Sequence, residues 1–259
     1  MTEDNRSVLA FMAHPDDVEF NCAGTLARLK EKGYQIHIAT MTAGDCGSME
    51  LPMEEIARVR RGEAARAAAL LGADYYWAGA RDIFITYDSP TLRLAIEAVR
   101  RVNPFLVITQ SPADYMLDHE MTSMLVRNAC FAASVPNAAT GAESAAPPTK
   151  GIPYLYYADA DEGKDIFGRP IEPGFYIDIS EAMEVKQQML ECHASQRDWL
   201  LKQHGMDQYV NTMKGWSAQR GAEAGVRYAE GFRQHLGHAY PQDNILGQIL
   251  GAIVPGQAV

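Results

Sequence analysis

Long apolar runs are missing from this 259-residue chain: no stretch approaches the roughly 18 uninterrupted apolar residues that a membrane-spanning helix needs. Membrane insertion is therefore not expected. Basic clusters are missing too. Lys and Arg total 23 against 33 Asp and Glu, a formal net charge of −10, and without a basic patch to neutralise phosphates the chain is a poor partner for nucleic acid or an anionic membrane. Cysteine is scarce: Cys22, Cys46, Cys130 and Cys192 lie far apart with no CxxC pair, which argues against a zinc ribbon or disulfide framework and for reduced thiols. Met1 to Arg6 is polar, with no apolar segment of a secretory signal after it, so a cytoplasmic location is expected. The chain also lacks a GxGxxG after its first apolar run, a Walker lysine and a GxSxG elbow, which removes the common dinucleotide, P-loop and lipase signatures.

What is there is an ordinary globular composition, 47% hydrophobic and 22% charged, in which short apolar runs alternate with longer stretches of helical period. That alternation predicts an α/β fold: a Rossmann-like parallel sheet with helices on both faces. Strands are expected at Val8 to Ala13, Gln35 to Met41, Tyr75 to Ala78, Phe105 to Thr109, Tyr154 to Ala158 and Phe175 to Ile179. Helices are expected at Cys22 to Lys32, Glu54 to Leu71, Leu92 to Val102 and Glu120 to Ala133. We read residues 1–259 as one domain, with a βα core over about 7–135. A loop or lid at 134–153 follows, and then a mainly helical C-terminal elaboration that includes Glu181 to about Gln203. The stretch Tyr228 to Pro241 reads as amphipathic, a segment through which copies of the chain could assemble into a homo-oligomer.

In open parallel sheets, ligands bind outside the carboxyl ends of the strands. Four polar clusters each follow one of the first four expected strands: His14-Pro15-Asp16-Asp17, Thr42-Ala43-Gly44-Asp45, Ala80-Arg81-Asp82 and Ser111 to His119. The first packs an imidazole and two carboxylates into four residues, and adjacent carboxylates repel unless a cation neutralises them. A dication such as Zn²⁺ takes His nitrogen and carboxylate oxygen, and a hydrolytic site needs three protein ligands plus a position for water. His14 and Asp17 supply two. Neighbouring Asp16 is left free as a base on water. His119 is the best-placed third ligand, with Asp118 to orient it.

These motifs resemble those of LmbE-like (PIG-L) zinc-dependent N-deacetylases: AHPDDVE at Ala13 to Glu19, the ArgxxGlu at Arg60 to Glu63, the Asp118-His119 pair and the HxSQ at His193 to Gln196. The resemblance covers most of residues 8 to 135 in order and residues 175 to 235 more thinly. It implies Zn²⁺ bound by His14, Asp17 and His119, with Asp16 as general base. It also implies Asp45 and Asp82 at the hydroxyls of an amino-sugar substrate and Arg60 close by. One position departs. The family's second motif reads HPDH, whereas this chain reads Met116-Leu117-Asp118-His119, so the imidazole that helps proton transfer in relatives is a thioether here. His193 is the first choice as its replacement, ahead of Tyr115 and Asp114; Tyr115 is otherwise a candidate substrate contact.

The expected reaction is hydrolysis of an N-acetyl group from an amino sugar or glycoconjugate, with Zn²⁺ or another dication such as Fe²⁺ in the site. Two alternatives stand beside it: a metal-binding protein that holds a glycan or protein partner without turnover, motivated by Met116, and an amidase on a non-sugar acyl amide. His37 and the tyrosines Tyr154, Tyr156 and Tyr157 read first as packing residues.

Overall fold

A computed structural model of the chain describes residues 6–197 and 208–255. β1 (Ser7–Met12) opens the fold. A short helix α1 (Asp17–Asn21) and α2 (Ala23–Glu31) lead to β2 (Gln35–Thr42), α3 (Met53–Leu70), β3 (Asp74–Ala80), α4 (Ser89–Val102), β4 (Leu106–Thr109), α5 (Leu117–Ala132) and β5 (Tyr154–Ala158). After them come β6 (Phe175–Asp178), α6 (Met183–Glu191), α7 (Gln208–Ala224), β7 (Ala229–Gln234), α8 (Ile245–Leu250) and β8 (Ala252–Ile253). The eight strands form one sheet in the order β3-β2-β1-β4-β5-β7-β6-β8. β1 to β5 are parallel, while β7 runs antiparallel to both β5 and β6, and β8 antiparallel to β6.

The hydrophobic pattern explains why the parallel part lies in the middle. Both faces of β1 are buried: Val8, Ala10 and Met12 join the core that contains α2 and α6, whereas Leu9 and Phe11 join the core under α4 and α5. A strand without a polar face can only be sandwiched between two helical layers. Local punctuation sets the helix ends. Asp88 caps α4 by accepting from Thr91 N at 2.8 Å, and Asn103 ends it in the left-handed region at φ 47°, immediately before Pro104.

The expected strands and helices of the first 135 residues are present with shifts of a few residues at their ends, and the short helix α1 before Cys22 is an addition to them. The C-terminal part holds more strand than expected. β7 was not anticipated, because AEGFRQ carries a glycine and two charges, yet it lies between β5 and β6, with its first four residues buried. Much of the amphipathic Tyr228 to Pro241 stretch is thus an interior strand of this sheet. Of the stretch expected as helix from Glu181 to about Gln203, α6 accounts for Met183–Glu191 and ends at Cys192, and the part beyond residue 197 lies outside the described residues. The loop at 134–153 lies against α4, where Glu97 accepts from Thr140 Oγ1 and Ala146 N and Arg100 donates to the carbonyls of Ala133 and Val135. Among the described residues, none of that loop lines the cleft described next.

The strand order reverses between β1 and β4, neighbours in space that lead their chains away in opposite directions. The crevice at such a switch point is where an open α/β sheet receives its ligand. The residues that follow β1 and β4 are the HPDD segment and the segment ending in Asp118-His119.

Candidate active site

The chain leaves β1 through Ala13, His14 and Pro15 and enters α1 at Asp17. The turn between them puts Asp16 at φ 104°, ψ −23°, a left-handed conformation that costs a non-glycine residue of order 1–3 kcal/mol and is characteristic of functional turns. The turn is tied from several sides. Asp17 Oδ2 accepts from His14 N (2.7 Å) and from Gln110 Nε2 (2.8 Å), and Gln110 Oε1 in turn accepts from Ala13 N (2.9 Å). Gln110 directly follows β4, so it couples the two strand ends that flank the crevice.

His14, Asp17 and His119 come together: one ligand-capable atom from each lies within 4.8 Å of the others, and all three residues are buried. His119 Nε2 is 3.5 Å from Asp17 Oδ1, and His14 Nδ1 is 3.4 Å from Asp17 Oδ2. The remaining nitrogen of each ring faces carboxylate. His14 Nε2 lies 3.1 Å from Asp82 Oδ1 and 3.3 Å from Asp118 Oδ2; His119 Nδ1 lies 3.0 Å from Asp114 Oδ1. Asp118 therefore orients His14 rather than its neighbour His119, which Asp114 holds instead. Consecutive residues at the start of a helix point in different directions, so Asp118 meets the ring arriving from β1 and not the one beside it. Asp118 Oδ2 also accepts from Ile83 N at 2.7 Å, and Ile83 is itself held at φ 69° at the rim of the cleft.

The electrostatics of the cluster call for a cation. Burial alone would raise the Asp17 carboxyl, but the neighbouring His119 and His14 hold it well below its ordinary range. Burial opposes the charged form of His119 as well, yet Asp17, Asp114 and Asp161 push it up to about 9. A donor set of two imidazoles and one carboxylate fits a divalent ion such as zinc, with each outer ring nitrogen fixed by a carboxylate, as ligating histidines require.

Asp16 stands beside the cluster. Arg60 Nη2 lies 3.3 Å from its Oδ1, and Tyr209 Oη donates to its Oδ2 at 2.5 Å. Burial raises the Asp16 carboxyl above its ordinary value, against the opposing charge of Arg60. Arg60 reaches this point from α3 by passing two glycines: an added Cβ would lie 2.1 Å from Arg60 Nη1 at Gly44 and 2.6 Å from it at Gly47. The cleft itself has a volume of about 490 Å³ and is lined by His14, Asp16, Asp17, Arg60, Asp82, Tyr115, Met116, His119, Asp161 and Tyr209 among others.

Some sequence-predicted residues are placed differently. Asp45 is buried beneath the rim with both carboxylate oxygens engaged, by Asp82 N (2.8 Å) and Arg81 Nε (2.6 Å), and does not line the cleft. It shapes the loop that presents Asp82. His193 is fully buried, with Nε2 3.5 Å from Glu19 Oε2, and it too lies behind the cleft lining. Tyr115 is 64% exposed at the mouth, its ring edge-on to His119 at 5.6 Å between centroids. Glu63 of the ArgxxGlu motif accepts from Ser195 N (2.9 Å) and Oγ (2.6 Å), and Gln196 donates to Gly47 O at 3.0 Å. The ArgxxGlu and HxSQ motifs thus join α3 to the chain at Ser195. Sequence reasoning missed Tyr209 and Asp161, because neither sits in a motif or at the end of one of the first four strands. Asp161, in the turn after β5, has Oδ2 4.0 Å from His119 Nδ1, and burial pushes its carboxyl up to about 7.

Residues 9–130 match the PIG-L family, described as GlcNAc-PI de-N-acetylase. Over nearly its whole length the chain is similar to 4-oxalmesaconate hydratase from Pseudomonas putida, at 26% identity over 249 residues and 90% of each chain. It is equally similar to diacetylchitobiose deacetylase from Thermococcus kodakarensis, at 26% identity over 244 residues, covering 89% of this chain and 83% of the relative. Among solved structures, N,N'-diacetylchitobiose deacetylase from Pyrococcus horikoshii superposes with a TM-score of 0.75 at 25% identity, covering 93% of this chain and 89% of the other. Residues 9–130 are a PIG-L (LmbE-like) domain, and the chain that carries them is similar over most of its length to enzymes, deacetylases among them.

Proposed function

We propose that this chain is a zinc-dependent N-deacetylase acting on an N-acetylated amino sugar or glycoconjugate. The observation that carries the reading is the convergence of His14, Asp17 and His119 on one point of the cleft with the Asp16 carboxylate next to them. When bound there, the dication supplies Lewis acidity to the acyl oxygen and to water. Asp16, with its burial-raised affinity for a proton, takes a proton from the attacking water, while Arg60 fixes the direction of its carboxylate. Asp82 and Asp118 hold His14, and Asp114 holds His119, so neither ring has to reorganise during the reaction.

Charge on the walls bears on the substrate. Among the described residues, Asp16, Asp17, Asp82 and Asp161 face the cleft with Arg60 as the one arginine or lysine. Carboxylates accept hydrogen bonds from hydroxyls and repel anions, so the lining suits a neutral polyol better than a polycarboxylate. The cleft also continues past Phe20, Tyr115, Asp161 and Thr212 into a second cavity of about 470 Å³ bordered by Trp216 and Lys164, which provides room for a group attached to the sugar.

A second reading is hydration of a carbon–carbon double bond, favoured by the near full-length similarity to the hydratase; water activated beside Asp16 can add to an electrophilic alkene as well as to an amide. Acetate release from a panel of N-acetyl amino sugars, using zinc-loaded protein with Asp16→Asn as control, tests the first reading. Turnover abolished by the substitution supports it. No acetate from any sugar, with hydration of an unsaturated keto acid instead, replaces it with the second.

A further inference from the structure

If water and amide meet beside Asp16, the departing nitrogen still has to receive a proton. The residue that would face it at the second motif is Met116, which lines the cleft and carries no exchangeable proton. His193 has no contact with the cleft. Asp161 lies on the Nδ1 side of His119, away from the Nε2 that faces Asp17, and its Oδ1 is engaged by Asn21. Tyr115 has its ring against His119 and is mostly exposed. Tyr209 differs from all of these. It projects from α7, itself a cleft-lining residue, with its ring edge-on to Phe20 at 5.2 Å and its hydroxyl 2.5 Å from Asp16 Oδ2.

We propose that Tyr209 is the catalytic acid of this chain, doing with a phenol what an imidazole at position 116 would do. The inference rests on the deacetylase reading. Asp16 removes one proton from water as the water oxygen bonds to the acyl carbon and the carbonyl π electrons move onto the acyl oxygen. When the intermediate collapses, the carbonyl re-forms and the carbon–nitrogen bond breaks. The nitrogen takes the proton of Tyr209 Oη while Tyr209 Oη takes the one held by Asp16. Amide and water become carboxylic acid and amine, and both side chains return to their starting states. The short Tyr209–Asp16 hydrogen bond is the path along which the second proton moves, and it lets one carboxylate and one phenol serve both halves of the reaction.

The role separates from mere support of Asp16 by its dependence on the leaving group. An amine must be protonated to leave, whereas 4-nitrophenolate leaves unassisted. With zinc-loaded protein, Tyr209→Phe is expected to lower kcat on the best N-acetyl sugar by about 100-fold, within the usual range for a positioned acid. KM should stay within about twofold, and hydrolysis of 4-nitrophenyl acetate within about threefold. Zinc stoichiometry and thermal midpoint, read on the same samples, should match wild type and show that site and fold are intact. Adding Met116→His to the Tyr209→Phe protein should restore amide hydrolysis by at least about tenfold. Equal losses on amide and ester would make Tyr209 a positioning residue for Asp16 and overturn the proposal, as would an unchanged amide rate. If the wild-type protein cleaves the ester but no amide, the deacetylase reading itself fails and Tyr209 loses its role with it.

Discussion

Gly44 offers a test of how Asp16 is held in place. It follows β2 at φ 65°, a conformation that costs an L-residue about 1–2 kcal/mol. The space its missing side chain leaves is filled by Arg60: in Gly44→Ala the new Cβ would sit 2.1 Å from Nη1 and 2.4 Å from Cζ. Arg60 is 4% exposed and crowded by Gly47 on its other side, so it can relieve the clash only by withdrawing from Pro15 O and Asp16 Oδ1. Hydrogen bonds of a guanidinium to such acceptors contribute about 1.5–3 kcal/mol each, with part regained from water after withdrawal. The substitution should therefore cost about 3–5 kcal/mol in all, of which only the backbone part, about 1–2 kcal/mol, survives when Arg60 is already Ala. Urea unfolding of wild type, both single variants and the double variant closes the cycle. A coupling of about 2–3 kcal/mol is expected. If Gly44→Ala costs the same with and without Arg60, the glycine is there for its turn alone and the account of Arg60 threading between Gly44 and Gly47 is wrong.

Two further outcomes follow from the same contacts. Asp114→Ala removes the carboxylate 3.0 Å from His119 Nδ1 and should weaken zinc binding 10- to 100-fold, measured by competition with a chromophoric chelator; unchanged affinity would show that Asp114 does not orient the ring. His235 lies against Tyr157 and Tyr240, and burial together with the charge of Arg127 lowers its pKa below the ordinary 6.5. Below pH 6.5 the unfolded chain therefore binds the proton more readily than the folded one, and the stability His235 contributes is full above that pH and lost as pH falls through it. His235→Gln should flatten the decline in unfolding free energy between pH 6.5 and 5, and NMR should show the wild-type ring titrating below 6.5; an identical pH slope in the two proteins would reject the linkage.

The parts of this site legible in the sequence are those whose chemistry and spacing are local. His14, Asp16 and Asp17 stand within four residues at the end of an apolar strand, and the order of strands and helices places Asp118-His119 at a neighbouring strand end. The first five strands were readable for the same reason: parallel strands covered on both faces are continuous apolar runs, and Val8 to Met12 has no polar residue to blur the pattern. β7 was not, because its burial comes from its neighbours β5 and β6, while its own sequence holds Glu230, which caps the start of α2 through Gly24 N and Thr25 N and pairs with Lys186. A buried charge that satisfies another element's helix end carries no strand signal.

The partner assignments inside the site show the same limit in sharper form. Adjacency suggested Asp118 for His119 and the place of His193 in the HxSQ motif suggested it as the replacement for the missing imidazole, yet Asp118 serves His14, 104 residues away, and His193 faces Glu19 behind the cleft. Which carboxylate meets which ring depends on the direction in which α5 leaves β4 and on the docking of α7 over the crevice, neither of which is encoded by the residues that do the chemistry. Tyr209 illustrates the consequence. It lies 193 residues from Asp16 and in no motif, so nothing in its own surroundings marks it; only the arrival of α7 at the HPDD turn does. Met116 had pointed to a missing proton donor, and a donor brought in by tertiary packing can occupy that place while leaving no trace at position 116. In an enzyme built this way, loss of one motif residue is therefore weak evidence for loss of catalysis, since the crevice at the β1–β4 switch point is open to side chains from any element packed across it.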